Sequence, residues 1–450
     1  MKFHSTNYNT KEVGFKTAIL RGQALDKGLY MLNQIPKLNK DQIYSFKNLE
    51  FQELAFIVLS RIIEDEIPSD DLKKIIKEAL NFPAPVEKIT AKDYICYLDR
   101  GPTCSFKDIG MRMLAKLMEY FIERIDKNIV ILVATSGDTG GAACNAFYKI
   151  DGIKVVVLYP KNEISELQRM QMTTLGKNII SIGIEGKFDD CQRMVKTAFA
   201  DEELSHLNLS SANSINFGRL LPQTLYYFWS YAQIIEKKEE KIIFSAPSGN
   251  FGNLMGGLIA YKMGLPVKRF IAAVNENDEF PQFLNTGEYQ KIEPSINCIS
   301  NAMNVGHPSN LARLIDLYGG QMDEKGNLLN KPNMDKIRQD IVSYSISDEL
   351  TKKTIESFYK NFNKIIEPHG AVGWAALQKY RENYPRDAKL RSITLETADP
   401  AKFPDEIINL INFKPEIPDS LKKIKQKEEI PNPVKIETYQ DFKTFLKENF

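Results

Sequence analysis

Two hydrophobic rhythms run along the chain, and the change from one to the other divides it. Over residues 1–92 apolar positions recur every third or fourth residue. The stretches 46–63 and 70–81 each set Leu, Ile, Val or Phe along one face, which predicts amphipathic helices. Pro68, Pro83 and Pro85 punctuate them. From residue 93 onward short, unbroken apolar runs take over, the pattern of strands buried on both faces. They predict strands at 94–98, 129–134, 153–159, 178–184, 241–246, 268–274 and 391–396. Helical spacing returns between them, at 106–124, 164–174, 188–200 and 216–236. Strands that alternate with helices predict an α/β protein with mostly parallel sheets and right-handed crossovers. Residues 275–320, dense in Asn, Pro and Gly, read as loops, and the Lys- and Pro-rich segment 413–450 reads as an extension with one final helix. The expected division is a largely helical unit over 1–92, two α/β domains over 93–236 and 237–410, and a C-terminal extension over 411–450 packed on the core.

Composition adds exclusions. At 450 residues and 43% apolar content the chain can bury two or three cores. Its 59 basic and 58 acidic residues nearly cancel, so no basic stripe argues for nucleic acid. The five cysteines (Cys96, Cys104, Cys144, Cys191 and Cys298) are scattered and lack metal-ligand spacing, as expected for reduced thiols of a cytoplasmic protein. No metal site is expected. No apolar stretch approaches the ~18 residues of a membrane span, and the first residues carry no apolar signal core.

Chemistry concentrates where strands give way to helices. Gly101-Pro-Thr-Cys-Ser-Phe-Lys107 joins the 94–98 run to a helix, and sets Lys107 among apolar neighbours. A lysine that loses hydration there has a lowered pKa and becomes a nucleophile, able to form a Schiff base with an aldehyde cofactor. After the 129–134 run comes Ala134-Thr-Ser-Gly-Asp-Thr-Gly-Gly141, hydroxyls and glycines at a helix N-terminus, where free N–H groups favour an anion. After the 241–246 run comes Pro247-Ser-Gly-Asn-Phe-Gly-Asn253, whose Gly249 and Gly252 permit a nest of N–H groups suited to a phosphate. This segment has neither the Gly-Lys-Ser/Thr ending of a Walker loop nor the spacing of a dinucleotide fingerprint. A reactive lysine, an anion loop and a phosphate cup together describe a pyridoxal phosphate site.

With these motifs in order, the chain resembles the threonine synthases, within the fold-type-II (tryptophan synthase β-like) family of pyridoxal-phosphate enzymes. Gly22-Gln-Ala-Leu-Asp-Lys-Gly-Leu-Tyr30, Ser211-Ala-Asn-Ser-Ile-Asn216 with Arg219, Glu367-Pro-His-Gly-Ala371, Leu395-Glu-Thr-Ala398 and Pro400-Ala-Lys-Phe403 extend the likeness over nearly the whole length. The resemblance implies pyridoxal 5'-phosphate as cofactor and O-phospho-L-homoserine as the small-molecule substrate. Water addition and phosphate release would give L-threonine. It implies Lys107 as the catalytic lysine that binds the aldehyde. Gly249, Asn250, Phe251, Gly252 and Asn253 would hold the cofactor phosphate, and Thr397 would lie against the pyridine nitrogen. Ser136, Gly137, Asp138 and Thr139 would meet the substrate carboxylate or the cofactor's phenolic oxygen, and Ser211, Asn213, Ser214, Asn216 and Arg219 the substrate phosphate. Asp138 serves equally as a helix cap, and His369 equally as a packing residue. Asp399 stands where the resemblance leads to a histidine. No nucleic-acid or membrane partner is expected, and the chain would be a monomer or homodimer. A phospho-lyase that releases 2-oxobutyrate, ammonia and phosphate, a serine or threonine dehydratase, and a non-catalytic cofactor-binding protein are the competing readings.

Overall fold

In the computed structural model, which describes residues 1–125 and 128–450, two parallel sheets face each other across a cleft. The larger has six strands, in the order Ile341–Ser345, Val267–Val274, Ile242–Pro247, Ser392–Glu396, Asp93–Tyr97 and Val86–Lys88. All pair in parallel except the last, Val86–Lys88, which runs antiparallel along one edge. The smaller has four parallel strands, Ile179–Ile184, Ile153–Pro160, Ile129–Ala134 and Leu209–Ser211. Ile129–Ala134 and Ile242–Pro247 are buried at every residue, as strands covered by helices on both faces must be. Helix Pro368–Asn383 packs on the large sheet, and Phe188–Ala200 on the small one.

Strand Asp93–Tyr97 belongs to the large sheet, although it begins the sequence segment assigned to the other α/β domain. It pairs residue by residue with Ser392–Glu396, from Asp93 opposite Ser392 to Tyr97 opposite Glu396. Helix Lys107–Ile122 then carries the chain from the large sheet to the first strand of the small one. The helix expected over 216–236 is two, Phe217–Leu220 and Gln223–Ile234, because Pro222 has no N–H to continue the ladder. The N-terminal unit has the expected helices (Phe51–Ile63 and Ser69–Ala79) but also a three-stranded antiparallel sheet built from Lys2–Ser5, Val13–Gly14 and Tyr30–Leu32. Residues 275–320 contain helices Glu279–Thr286 and Leu311–Leu317, and the C-terminal extension has two helices, Asp419–Lys425 and Tyr439–Asn449. No helix among the described residues is long and apolar enough to cross a membrane.

Parallel sheets gather all their strand C-termini at one edge, which is where ligands bind in such folds. Here the segments leaving Ala134, Ser211, Pro247 and Glu396, together with the loop after Tyr97, meet in one cleft.

Candidate active site

The cleft holds a cavity lined by Lys107, Ser136, Asp138, Thr139, Asn213, Ser214, Arg219, Gly249 to Asn253, and Thr397. These residues follow five strand ends and span 290 positions of sequence, from Lys107 to Thr397. Phe106, Ala134, Phe188, Gln223, Pro247, Ala302, Met303 and His369 complete the wall.

Lys107 is the first residue of helix Lys107–Ile122. Asp108 ties the preceding loop to that helix, since its carboxylate accepts from Thr103 N–H at 2.8 Å and from Thr103 Oγ1 at 2.7 Å. Burial pulls the Lys107 ammonium down, the Asp138 carboxylate opposes, and the Arg219 and Lys402 cations add to the fall, leaving it at about 8.

Helix Gly252–Met263 forms the floor of the phosphate cup. Its cap, Phe251, sits in the left-handed region (φ 60), an unusual conformation for a bulky residue, and packs edge-on against Phe280 at 4.7 Å. No backbone carbonyl among the described residues engages the N–H groups of Gly249 to Leu254. Asn253 adds a side-chain donor. Its Oδ1 accepts from Tyr226 Oη at 2.6 Å and Tyr227 Oη at 2.9 Å, while its buried Nδ2 has no partner. A Cβ on Gly249 would stand 3.0 Å from Met303 Cα and 3.2 Å from Ala302 O, so the backbone approach there requires glycine. A run of free N–H groups at a helix start with an orphaned amide donor fits a phosphate monoester. A half-neutral lysine in the same cavity fits an aldehyde. The residues present therefore fit pyridoxal phosphate.

Across the cavity, Thr135 Oγ1 shapes the anion loop, accepting from Gly137 N–H at 2.9 Å and Gly140 N–H at 2.8 Å. Gly137 adopts φ 132, its N–H is spent on Thr135, and it does not line the cavity. Asp138 is the first residue of helix Asp138–Phe147 and makes no capping bond. Instead its Oδ1 lies 2.8 Å from Lys402 Nζ and its Oδ2 3.5 Å from Lys107 Nζ. Burial alone would raise its pKa, but Lys402 and Lys107 hold it well below the usual carboxylate range. Asp138 is thus engaged by two lysines, which leaves Ser136 as the unengaged hydroxyl of this loop on the cavity wall.

Arg219 lies in the short helix Phe217–Leu220 and is 4% exposed. Its Nη1 donates to Ala212 O at 2.8 Å, and its Nη2 reaches Thr139 Oγ1 at 3.5 Å. Burial lowers its pKa to about 10. Two neighbours expected at the substrate phosphate lie elsewhere. Asn216 caps the Arg219 helix through Gly218 N–H, and its Nδ2 donates to Ile19 O and Ser211 O. The Ser211 hydroxyl accepts from Asn213 N–H. Both are buried and absent from the cavity wall, so they shape the loop that presents Asn213 and Ser214.

Thr397 Oγ1 donates to Glu367 Oε1 at 3.2 Å. Glu367 caps helix Pro368–Asn383, and His369 Nδ1 donates to its other oxygen at 2.6 Å while His369 Nε2 accepts from Ala302 N–H. His369 is thus both a wall residue and a brace. Asp399 does not line the cavity. Its carboxylate accepts from Ala401 N–H at 2.9 Å and caps the turn Pro400–Lys402. The sequence reading had no role for Lys402, Gln168 or Glu367. Lys402 stands in a quoted motif, but nothing in the pattern distinguishes a fully buried lysine from a surface one.

Comparison with known proteins agrees with this geometry. Residues 83–393 match the family model described as pyridoxal-phosphate dependent enzyme, residues 2–80 the threonine synthase N terminus, and residues 370–445 the threonine synthase C-terminal model. The chain belongs to the threonine synthase family. The threonine synthase of Escherichia coli K12 is 38% identical over 425 residues, 94% of each chain. That of Saccharomyces cerevisiae is 34% identical over 470 residues, 92% of this chain and 91% of the other. The crystal structure of the E. coli threonine synthase superposes with a TM-score of 0.90 over the whole of both chains. A pyridoxal-phosphate-bound threonine synthase from Brucella melitensis superposes at 0.89, with 31% identity over 100% of this chain and 99% of that one. Maize serine racemase, at 17% identity and a TM-score of 0.53, shares the fold alone. As a member of the threonine synthase family, this chain is a pyridoxal-phosphate-dependent lyase of fold type II.

Proposed function

We propose that this chain converts O-phospho-L-homoserine and water to L-threonine and phosphate. The observation that carries the reading is Arg219, a buried cation on the cavity wall with no carboxylate partner among the described residues. A buried arginine of this kind costs stability unless an anion completes it. With Asn213 and Thr139 it would form a second anion site in the cavity that also holds the cup at Gly249 to Asn253, which Ser214 adjoins. Two phosphate-sized sites in one cavity suit a phosphorylated substrate beside a phosphorylated cofactor, whereas a serine or threonine dehydratase needs only one.

In this reading the N–H groups of Gly249 to Asn253 would hold the cofactor phosphate, Lys107 Nζ its aldehyde carbon, and Thr397 Oγ1 would face the ring nitrogen. Pyridoxal phosphate supplies an electron sink that acidifies the C–H bonds beside the substrate amine. Once the substrate amine has displaced it, the free Lys107 amine, half neutral near pH 8, would take the proton from the substrate Cα and move protons within its reach. Arg219 holds the substrate phosphate through its guanidinium fork and stabilises the charge as it leaves. Phe188 and Met303 add apolar surface to the cavity wall. The five unpaired, buried cysteines support a cytoplasmic setting.

Incubation of the purified holoenzyme with O-phosphohomoserine is expected to yield threonine and phosphate in equal amounts. 2-Oxobutyrate as the main product would favour the phospho-lyase instead.

A further inference from the structure

We propose that Lys402 is a positioning residue: it occupies one oxygen of Asp138, and so prevents that carboxylate from holding Lys107 in its protonated form. The inference rests on Lys107 as the lysine that binds the cofactor, and assigns the group that sets its readiness to do so.

Lys402 is fully buried and does not line the cavity, so it touches neither substrate nor cofactor. It sits on the turn Pro400–Lys402, five residues beyond Thr397 on the large-sheet side. Its partner, Asp138, opens a helix of the small-sheet side. The pair therefore joins the two halves of the molecule directly behind the cavity wall. Geometry ranks the two cations that share Asp138. Lys402 Nζ lies 2.8 Å from Oδ1, where Gln168 Nε2 also donates at 3.1 Å, whereas Lys107 Nζ lies 3.5 Å from Oδ2. Asp138 is thus mainly the counter-ion of Lys402. The other charged or titratable groups that face this cluster are Arg219 towards Lys107, His369 towards Asp138, and Asp108, Asp399 and Cys104 towards Lys402.

Capture of the cofactor requires a neutral amine. The Lys107 Nζ lone pair attacks the aldehyde carbon, a carbon–nitrogen double bond replaces the carbon–oxygen one, and water departs with the carbonyl oxygen and the two amine protons. A lone carboxylate beside Lys107 would hold the ammonium and withhold that lone pair. Two lysines on one carboxylate leave a net positive charge, and it is the cavity lysine that gives up its proton more easily.

The test follows cofactor capture by the full-length chain stripped of pyridoxal phosphate, mixed with free pyridoxal phosphate and read by the growth of its visible band as a function of pH. Wild type is expected to show a midpoint near pH 8. In Lys402→Met, of similar volume, the midpoint should rise by about one unit or more and the rate at pH 7.5 should fall about tenfold, the usual effect of one unscreened opposite charge. Lys402→Arg should keep the wild-type midpoint, and Lys402→Met with Asp138→Asn should restore it. A folded Lys402→Met variant with an unchanged midpoint overturns the proposal. Should that variant not fold, Asp138→Asn alone decides: the midpoint must fall below wild type, and an unmoved midpoint overturns the proposal equally. Borohydride trapping and peptide mapping of wild type separate the two claims. An adduct on a residue other than Lys107 would overturn the underlying reading of the site.

Discussion

Burial and neighbouring charges together set the charge states of individual side chains here. Lys107 is the functional case. Lys107→Ala should abolish the cofactor's visible band in the protein together with activity, and a retained band in that variant would show that another group binds the aldehyde. Gly249 tests the cup through packing alone. Gly249→Ala sets a methyl 3.0 Å from the Met303 backbone, so the 302–303 segment must move. Cofactor affinity is expected to fall at least about tenfold by absorbance titration, which corresponds to ~1.4 kcal/mol, within the range of overpacking costs. Asp99 offers a check on stability. It is buried, and burial raises its carboxyl to about 7 against the pull of Arg100. Unfolded, the same group releases its proton near pH 4. Between these values the folded chain binds the extra proton, so stability falls as pH rises through that window. Asp99→Asn removes the fall. Its Tm should exceed that of wild type at pH 8 and match it at pH 4, and equal Tm values at both would refute the shift.

Helix starts and strand ends position the chemistry. The phosphate cup is the N-terminus of Gly252–Met263, whose dipole and free N–H groups act together. The segment 211–219 works differently, with its polar residues divided between presenting and bracing. Asn213, Ser214 and Arg219 reach the cavity, while Ser211 and Asn216 fold the loop. Arg313 braces it from behind, donating to Ser214 O at 2.9 Å and reaching Asn310 Oδ1 at 2.6 Å. Asn216→Ala removes a helix cap and two further side-chain bonds. It should cost about 1–2 kcal/mol in chemical denaturation. It should also raise KM for the phosphorylated substrate while leaving the bound-cofactor content unchanged. Loss of cofactor in that variant would mean that the loop supports the cup instead.

Across the molecule, the site exists only because two sheets meet. Lys402 and Thr397 come from the large sheet's side, Asp138 and Arg219 from the small sheet's, and Lys107 from the helix that crosses between them. The C-terminal helix Tyr439–Asn449 packs on helix Phe188–Ala200, which itself covers the small sheet. Phe442, Phe445 and Leu446 bury against the region of helix Phe188–Ala200, and Tyr439 Oη donates to Asp201 at 2.6 Å. A chain ending at residue 438 should lose several degrees of Tm and tend to aggregate, because Val195 and Leu207 are uncovered. An unchanged melting curve would show that this helix contributes nothing to the fold. Much of the molecule could be read along the chain. Unbroken apolar runs marked seven of the ten strands of the two sheets but not Val86–Lys88, Leu209–Ser211 or Ile341–Ser345, and glycines with hydroxyls marked the loops after Ala134 and Pro247, because these features follow from backbone hydrogen bonding and local sterics. Sheet membership could not be read, since the pairing of Asp93–Tyr97 with Ser392–Glu396 joins segments about 300 residues apart. The division of labour within 211–219 and the burial of Lys402 against Asp138 were equally hidden. A lysine or an asparagine carries the same letter whether it meets water, a ligand or a neighbouring carbonyl, and the desolvation that distinguishes these cases arises when distant segments pack.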